Sequence, residues 1–276
     1  MHIMENSSSP TITFIGGGNM AQALIGGLIS SGKPAADIRV SDPSADQRAA
    51  VAEHYGVDVF SDNGPATDGA DALMLAVKPQ VMGQVLASLK DSVRAETLVI
   101  SVAAGVTLAQ LSEGLGGHRR CIRAMPNTPA LYGAGITGMV ADEGVEANDR
   151  ELAATILGAA GKVVWVEDES LMDVVTAISG SGPAYFFRFV ELLTLAGTRA
   201  GLDEADAAAL ARQTAFGAGT MLTQSDIDAA ELRRRVTSPG GTTAAALDSF
   251  QANDLERVVE EAVQAAVRRG QELGES

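Results

Sequence analysis

Five short β-rich runs separated by helix-length spacers constrain this chain more than any other feature: Thr11-Ile12-Thr13-Phe14-Ile15, Ile38-Arg39-Val40, Val57-Asp58-Val59-Phe60, Ala72-Leu73-Met74-Leu75-Ala76-Val77 and Leu98-Val99-Ile100-Ser101-Val102. Strands recurring at this rhythm predict a parallel sheet covered by helices on both faces. Runs at Cys121-Ile122-Arg123-Ala124, Ile136 to Val140 and Val163-Val164-Trp165-Val166 extend that sheet. After Trp165 the β-rich runs stop, and from Leu171 onward Ala, Leu and charged residues fall at helical spacing. Leu255, Val259, Ala262, Val263, Ala266 and Val267 share one face of a final helix. The fold class is therefore α/β, an N-terminal doubly wound parallel sheet followed by an all-α C-terminal domain. The expected boundaries are a disordered tail over 1–10, a sheet domain over 11–170 and a helical domain over 171–276.

A chain of 276 residues that is 46% hydrophobic has enough material for two cores. Its net charge of −15 opposes nonspecific binding to nucleic acid or anionic membrane, so an anionic ligand needs local donors. No apolar run reaches the roughly 20 residues of a membrane span, and no secretory leader is recognisable, which predicts a cytoplasmic protein. A single cysteine, Cys121, and three scattered histidines give no disulfide and no metal-ligand spacing, and Cys121 reads as a small core residue. Ala-rich helices with few aromatic residues bury limited area each, so the helical segment is expected to complete its core against a second copy.

The first chemical signal is Ile15-Gly16-Gly17-Gly18-Asn19-Met20-Ala21, a G-x-G-x-x-A fingerprint placed directly between a strand and an apolar helix over Met20 to Ile29. Gly16 allows the turn, Gly18 removes a side chain from the path of a pyrophosphate, and Ala21 lets the helix lie close to the sheet. The helix start then offers unpaired N–H groups to phosphates. Asp42 ends the second strand, where an acid usually accepts hydrogen bonds from a ribose and repels a 2′-phosphate, favouring NADH. Ser41, Ser44 and Arg48 lie nearby and suit a 2′-phosphate if Asp42 points away, and Asp42 before Pro43 also fits a plain turn. Ala76-Val77-Lys78-Pro79 closes the fourth strand on the edge where such sheets bind ligands.

The second signal is Val236-Thr237-Ser238-Pro239-Gly240-Gly241-Thr242-Thr243, an open turn leading into a helical run over Ala244 to Phe250. Hydroxyls and amides at such a start can converge on a carboxylate, or merely cap the helix. This segment resembles the signature of the pyrroline-5-carboxylate reductases. Ala76-Val77-Lys78-Pro79, Met125-Pro126-Asn127-Thr128-Pro129 and Ser179-Gly180-Ser181-Gly182-Pro183-Ala184-Tyr185 match the same family in order. The likeness runs from about Thr11 to Glu272.

The resemblance implies a Rossmann domain followed by a helical dimerisation domain, with the active site between the cofactor edge and the helices. It further implies that Ser238 and the amides of Gly240, Gly241, Thr242 and Thr243 hold the substrate carboxylate and that the Thr243 hydroxyl meets the ring nitrogen. Ser238 and Thr243 are then the catalytic pair, with Glu169 and Asp226 as acidic substrate contacts. On the cofactor side it implies Gly16, Gly17, Gly18, Asn19, Met20, Asp42, Asn63, Ala76, Val77, Lys78, Pro79, Ala103, Ala104 and Asn127. The expected activity is NADPH- or NADH-dependent reduction of 1-pyrroline-5-carboxylate to L-proline by a cytoplasmic homodimer or higher homo-oligomer, without metal. Asp42 departs from the serine of some members, which leaves the choice between NADPH and NADH open. A related imine or hydroxyacid oxidoreductase, and a non-catalytic nucleotide-binding protein, are the alternatives. The first usually needs a Lys or His acid, and 171–276 contains neither.

Overall fold

The structure is a computed structural model and describes residues 9–274. Its contacts divide the chain into two compact units, one running up to Gly180 and resuming at Ala266, the other spanning Ser181–Ala265. The expected tail lies up to Ser8 outside the described residues. Its last two positions are held: the Lys33 ammonium donates to Ser9 Oγ at 2.7 Å and to the Pro10 carbonyl.

In the first unit, eight strands form one sheet: β1 (Ile12–Ile15), β2 (Ile38–Ser41), β3 (Asp58–Phe60), β4 (Ala72–Leu75), β5 (Leu98–Ser101), β6 (Cys121–Met125), β7 (Gly135–Ala141) and β8 (Gly161–Trp165). Their order is β3-β2-β1-β4-β5-β6-β7-β8. Between them lie α1 (Asn19–Ser30), α2 (Ala45–Tyr55), α3 (Asn63–Thr67), α4 (Pro79–Leu89), α5 (Leu108–Gly114) and α6 (Ala147–Gly158), and after β8 comes the short α7 (Met172–Val175). Period-two alternation sorts the strand residues onto two faces. Phe14, Val40, Met74, Ile100 and Ile122 pack with Leu24 and Ile25 of α1 and Ile156 of α6. Ile15, Leu73, Leu75, Val99 and Cys121 pack with Met82 and Leu86 of α4 and Leu111 of α5. Both faces are buried, as a doubly wound sheet requires.

The sheet is parallel as expected but for one pairing. β7 pairs antiparallel with β6, and β8 runs parallel to β7. The link from β6 to β7 is only Pro126–Ala134, built around a 3₁₀ turn over Thr128–Tyr132. A parallel return needs a crossover of a dozen residues or more, so this link can only reverse the chain. α6 supplies such a crossover, and β8 accordingly follows β7 in parallel.

The second unit contains α8 (Gly182–Arg199), α9 (Glu204–Gln224), α10 (Ala229–Arg235), α11 (Thr242–Ala252) and the greater part of α12 (Leu255–Gly274). Asp203 and Asp228 cap α9 and α10, accepting from Ala205 N and Glu231 N. Small residues let α8 and α9 approach closely, since a Cβ on Gly197 would sit 3.2 Å from that of Ala207. Large apolar side chains remain exposed, among them Phe186 and Phe187 on α8 and Phe216 on α9. Among the described residues no helix is long and apolar enough to cross a membrane, and no His/Cys/Asp/Glu group suits a metal ion.

Candidate active site

Strand order reverses between β1 and β4, because β1 leads outward to β2 while β4 leads the other way to β5. Ligands of such sheets settle at that switch point, beyond the carboxyl ends of the strands. The glycine loop stands there. Gly16 has φ +96°, and a Cβ on it would lie 2.6 Å from the Ala76 carbonyl oxygen, so no larger residue fits. The loop is pinned by Gly16 N–H donating to Ser41 O at 2.7 Å and by the Gln22 side-chain amide donating to Gly17 O at 3.0 Å. A Cβ on Gly18 would meet nothing within 4 Å. Gly18 also N-caps α1 without any side-chain cap, which leaves the Asn19 and Met20 end of the helix open to a phosphate. These residues fit a dinucleotide.

Around the loop, several expected contacts already have protein partners. Asp42 Oδ2 accepts from Gly17 N–H at 2.9 Å and Oδ1 from Ser44 N–H at 2.9 Å, so the carboxylate is turned into the loop. Asn63, at the start of α3, accepts from the Ser41 hydroxyl at 2.7 Å and donates to Ser88 Oγ at 3.0 Å. Lys78 N-caps α4 with Pro79 at the first helical position, and its side chain is exposed. Ala76 and Val77 lead from β4 into this cap, and Val77 also backs the glycine loop. Ala103 and Ala104 lie on the loop from β5 to α5, where Ala103 N–H donates to Ser101 Oγ at 3.3 Å. Asn127 is 8% exposed and its amide is a bracket: Nδ2 donates to Ser179 O and Oδ1 accepts from Ile136 N–H, both at 3.0 Å.

In the second unit, Ser238-Pro239-Gly240-Gly241 forms a tight turn closed by Gly241 N–H donating to Ser238 O at 3.0 Å. Pro239 presets the second position and Gly240 takes φ +66° at the third, the pattern of a type II turn. Gly241 then N-caps α11 with no side-chain bond. The amides of Thr242 and Thr243 therefore belong to an uncapped first turn, with Ser238 exposed beside it and Thr243 half-buried within it. Thr237 Oγ donates to Arg233 O at 2.6 Å, which fixes the approach to the turn. Asp226 lies exposed between α9 and α10.

Glu169 belongs to the first unit. Its Oε1 accepts from Leu108 N–H at 2.8 Å and from Arg123 Nη1 at 3.0 Å. Sequence reasoning did not find Arg123 or Asp173, whose Oδ1 lies 3.6 Å from Arg123 Nη2. The available signal was an arginine inside the apolar run Cys121 to Ala124, since a strand arginine that is 6% exposed needs carboxylate partners.

Known proteins match this chain along its whole length. Residues 169–273 match the family described as pyrroline-5-carboxylate reductase dimerisation, and residues 11–105 match that described as NADP oxidoreductase, coenzyme F420-dependent. A pyrroline-5-carboxylate reductase of Pseudomonas aeruginosa is 49% identical over 268 residues, covering 97% of this chain and 98% of that one. The structure of a pyrroline-5-carboxylate reductase from Coxiella burnetii superposes with a TM-score of 0.93 at 40% identity, covering 98% and 100% of the two chains. That of Plasmodium falciparum pyrroline carboxylate reductase with NADP bound gives 0.82 at 30% identity, covering 96% and 98%. On the fold, the two glycine-bearing helix starts and these full-length matches, the chain belongs to the pyrroline-5-carboxylate reductase family.

Proposed function

We propose that this protein reduces the C=N bond of 1-pyrroline-5-carboxylate to give L-proline, the last step of proline biosynthesis, with NADPH or NADH as hydride donor. The observation that carries this reading is the uncapped start of α11 behind the Ser238–Gly241 turn, in a chain that matches reductases of this substrate from end to end. The substrate is a small cyclic imine bearing one carboxylate, and the turn offers an anion what it needs. Ser238 Oγ and the N–H groups of Gly240, Thr242 and Thr243 are the carboxylate ligands, while Gly241 N–H is already spent closing the turn.

In the first unit, Gly16, Gly17, Gly18, Asn19 and Met20 receive the pyrophosphate, Asp42 and Asn63 border the adenosine end, and Ala76, Val77, Lys78, Pro79, Ala103, Ala104 and Asn127 line the nicotinamide side. When bound, the nicotinamide supplies the hydride. An imine accepts hydride well only with its nitrogen protonated, so the protein's task is to bind the iminium form and hold it in register. Thr243 Oγ orients the ring nitrogen and relays a proton from water, because a threonine hydroxyl is too weak an acid to protonate alone. Asp226 lends negative charge near that cation. No histidine or cysteine is required.

The reading assigns 11–170 to the dinucleotide and 171–276 to substrate and dimerisation, in a homodimer on which higher assembly can build. The reading takes the reaction to run in the cytoplasm, where a water-soluble cofactor and substrate would meet it. The test is oxidation of NADPH and of NADH, followed separately by nicotinamide absorbance, on adding pyrroline-5-carboxylate, with proline identified as product. Absence of turnover with both, in protein that binds dinucleotide, would reject it.

A further inference from the structure

We infer that Glu169 is a positioning residue: with Arg123 it clamps the loop Val102–Thr107, and it does not hold the substrate. The inference rests on the reading above only in assigning Ala103 and Ala104 of that loop to the nicotinamide side. Three observations carry it.

First, Glu169 Oε1 takes two hydrogen bonds at once, from Leu108 N–H at 2.8 Å and from Arg123 Nη1 at 3.0 Å. Leu108 is the first residue of α5, immediately after the loop, and its N–H is one that a helix cannot satisfy internally. Two neighbouring end groups are met locally, by Gln110 N–H donating to Thr107 Oγ and Thr107 N–H donating to Gln110 Oε1. Glu169 therefore adds to the cap from 61 residues away.

Second, the arginine that aims Glu169 is part of the sheet. Arg123 stands on β6 opposite Ser101, the last residue of β5, and Ser101 Oγ accepts from Ala103 N–H at 3.3 Å at the loop's other end. The loop is thus tied to adjacent strands at both of its roots. A charged bond from a guanidinium that is 6% exposed is stronger and more directional than one made in water.

Third, the same arginine reaches the C-terminal helix. Asp173 Oδ1, 3.6 Å from Arg123 Nη2, faces α12 so closely that a Cβ on Gly270 would lie 2.9 Å from it. One helical turn later the backbone of α12 backs the middle of the loop. Gly105, at φ +78°, would place a Cβ 3.4 Å from Leu273 O. Arg123 with its two carboxylates thus stands against both the start of α5 and the end of α12, and the loop lies between them.

The full-length protein is compared with Glu169→Ala and Glu169→Gln by amide hydrogen exchange without cofactor, by dinucleotide Kd from calorimetry and by steady-state kinetics. Glu169→Ala is expected to speed exchange at residues 103–108 and to weaken dinucleotide binding, each about tenfold or more, with the KM for pyrroline-5-carboxylate within about twofold. Glu169→Gln, which keeps an acceptor for Leu108 N–H, should restore most of both. Unchanged exchange in Glu169→Ala overturns the clamp, and so does a raised substrate KM with dinucleotide Kd unaltered. Faster exchange with both the dinucleotide Kd and the substrate KM unaltered upholds the clamp and removes Ala103 and Ala104 from the cofactor reading, which separates the two failures.

Discussion

A carboxylate at the end of the second strand reads a ribose only when its oxygens point outward, and those of Asp42 are engaged with Gly17 and Ser44 N–H. The turn reading of Asp42 is therefore the one its bonds express. Beside it Arg48 Nη1 donates to the carbonyls of Asp42 and Pro43, at 2.7 and 3.0 Å, which leaves a fork of further donors at the rim. Arg48→Ala should raise the KM for NADPH about tenfold or more and that for NADH less than about twofold. An equal rise for both would reduce Arg48 to loop support. Thr243→Ala should lower kcat by roughly 10- to 1000-fold, the range for one positioned hydrogen bond, with dinucleotide Kd unchanged. Unchanged turnover would remove Thr243 from the mechanism. Cys121 bears on stability instead: burial pushes its thiol from an ordinary 9.0 to about 12. Between those values the unfolded chain loses the proton and the folded one keeps it, so this contribution is complete below about pH 9 and fades as pH rises toward 12. Urea midpoints at about pH 8 and about pH 10 should fall in that order, and a Cys121→Ala variant should show a smaller fall.

The helices that cover the sheet have their own limits, set by how near backbone approaches backbone. On α1, a Cβ at Gly27 would overlap the Ala159 carbonyl oxygen at the end of α6, whereas one at Gly83 within α4 would meet nothing within 4 Å. Gly27→Ala should therefore cost about 1–3 kcal/mol and lower Tm by several degrees, while Gly83→Ala should leave Tm unchanged or raise it through better helix propensity. Calorimetric scans of the two variants check the opposite signs. This is also where the sequence was most and least legible. Continuous apolar runs such as Ala72–Leu75 and Leu98–Ser101 mark strands buried on both faces, and the fingerprint at Gly16 to Ala21 could be read because its chemistry is local. The direction of β7 was hidden, since Ile136–Val140 looks the same in either sense and only the shortness of the Pro126–Ala134 link decides it. The pairing of Arg123 with Glu169 and Asp173 was hidden for a different reason. These residues meet across 46 and 50 residues, and no periodicity records a side-chain contact of that span.

At the scale of the whole molecule, the two units differ in how much they bury for themselves. The first has a sheet covered on both faces, with most of its large side chains fully enclosed. In the second the buried apolar residues are Ala207 and Ala211, while Phe186, Phe187 and Phe216 are 69%, 68% and 70% exposed. Helices that leave such residues in water have not finished their core, and the segment matches a family described by its dimerisation. A second copy that covers these rings contributes folding energy as well as assembly, so Tm should rise with protein concentration. Phe216→Asp places a charge where an apolar ring is expected to be enclosed, a change costing about 2 kcal/mol or more at the centre of an interface. By light scattering that variant should shift toward monomer, and its Tm should lose the concentration dependence of the parent. Dinucleotide binding, proposed above for the first unit, should persist in the variant while turnover falls. An unaltered dimer would take Phe216 out of the interface. A monomer that had lost dinucleotide binding as well would mean that the first unit depends on the partner for its own fold.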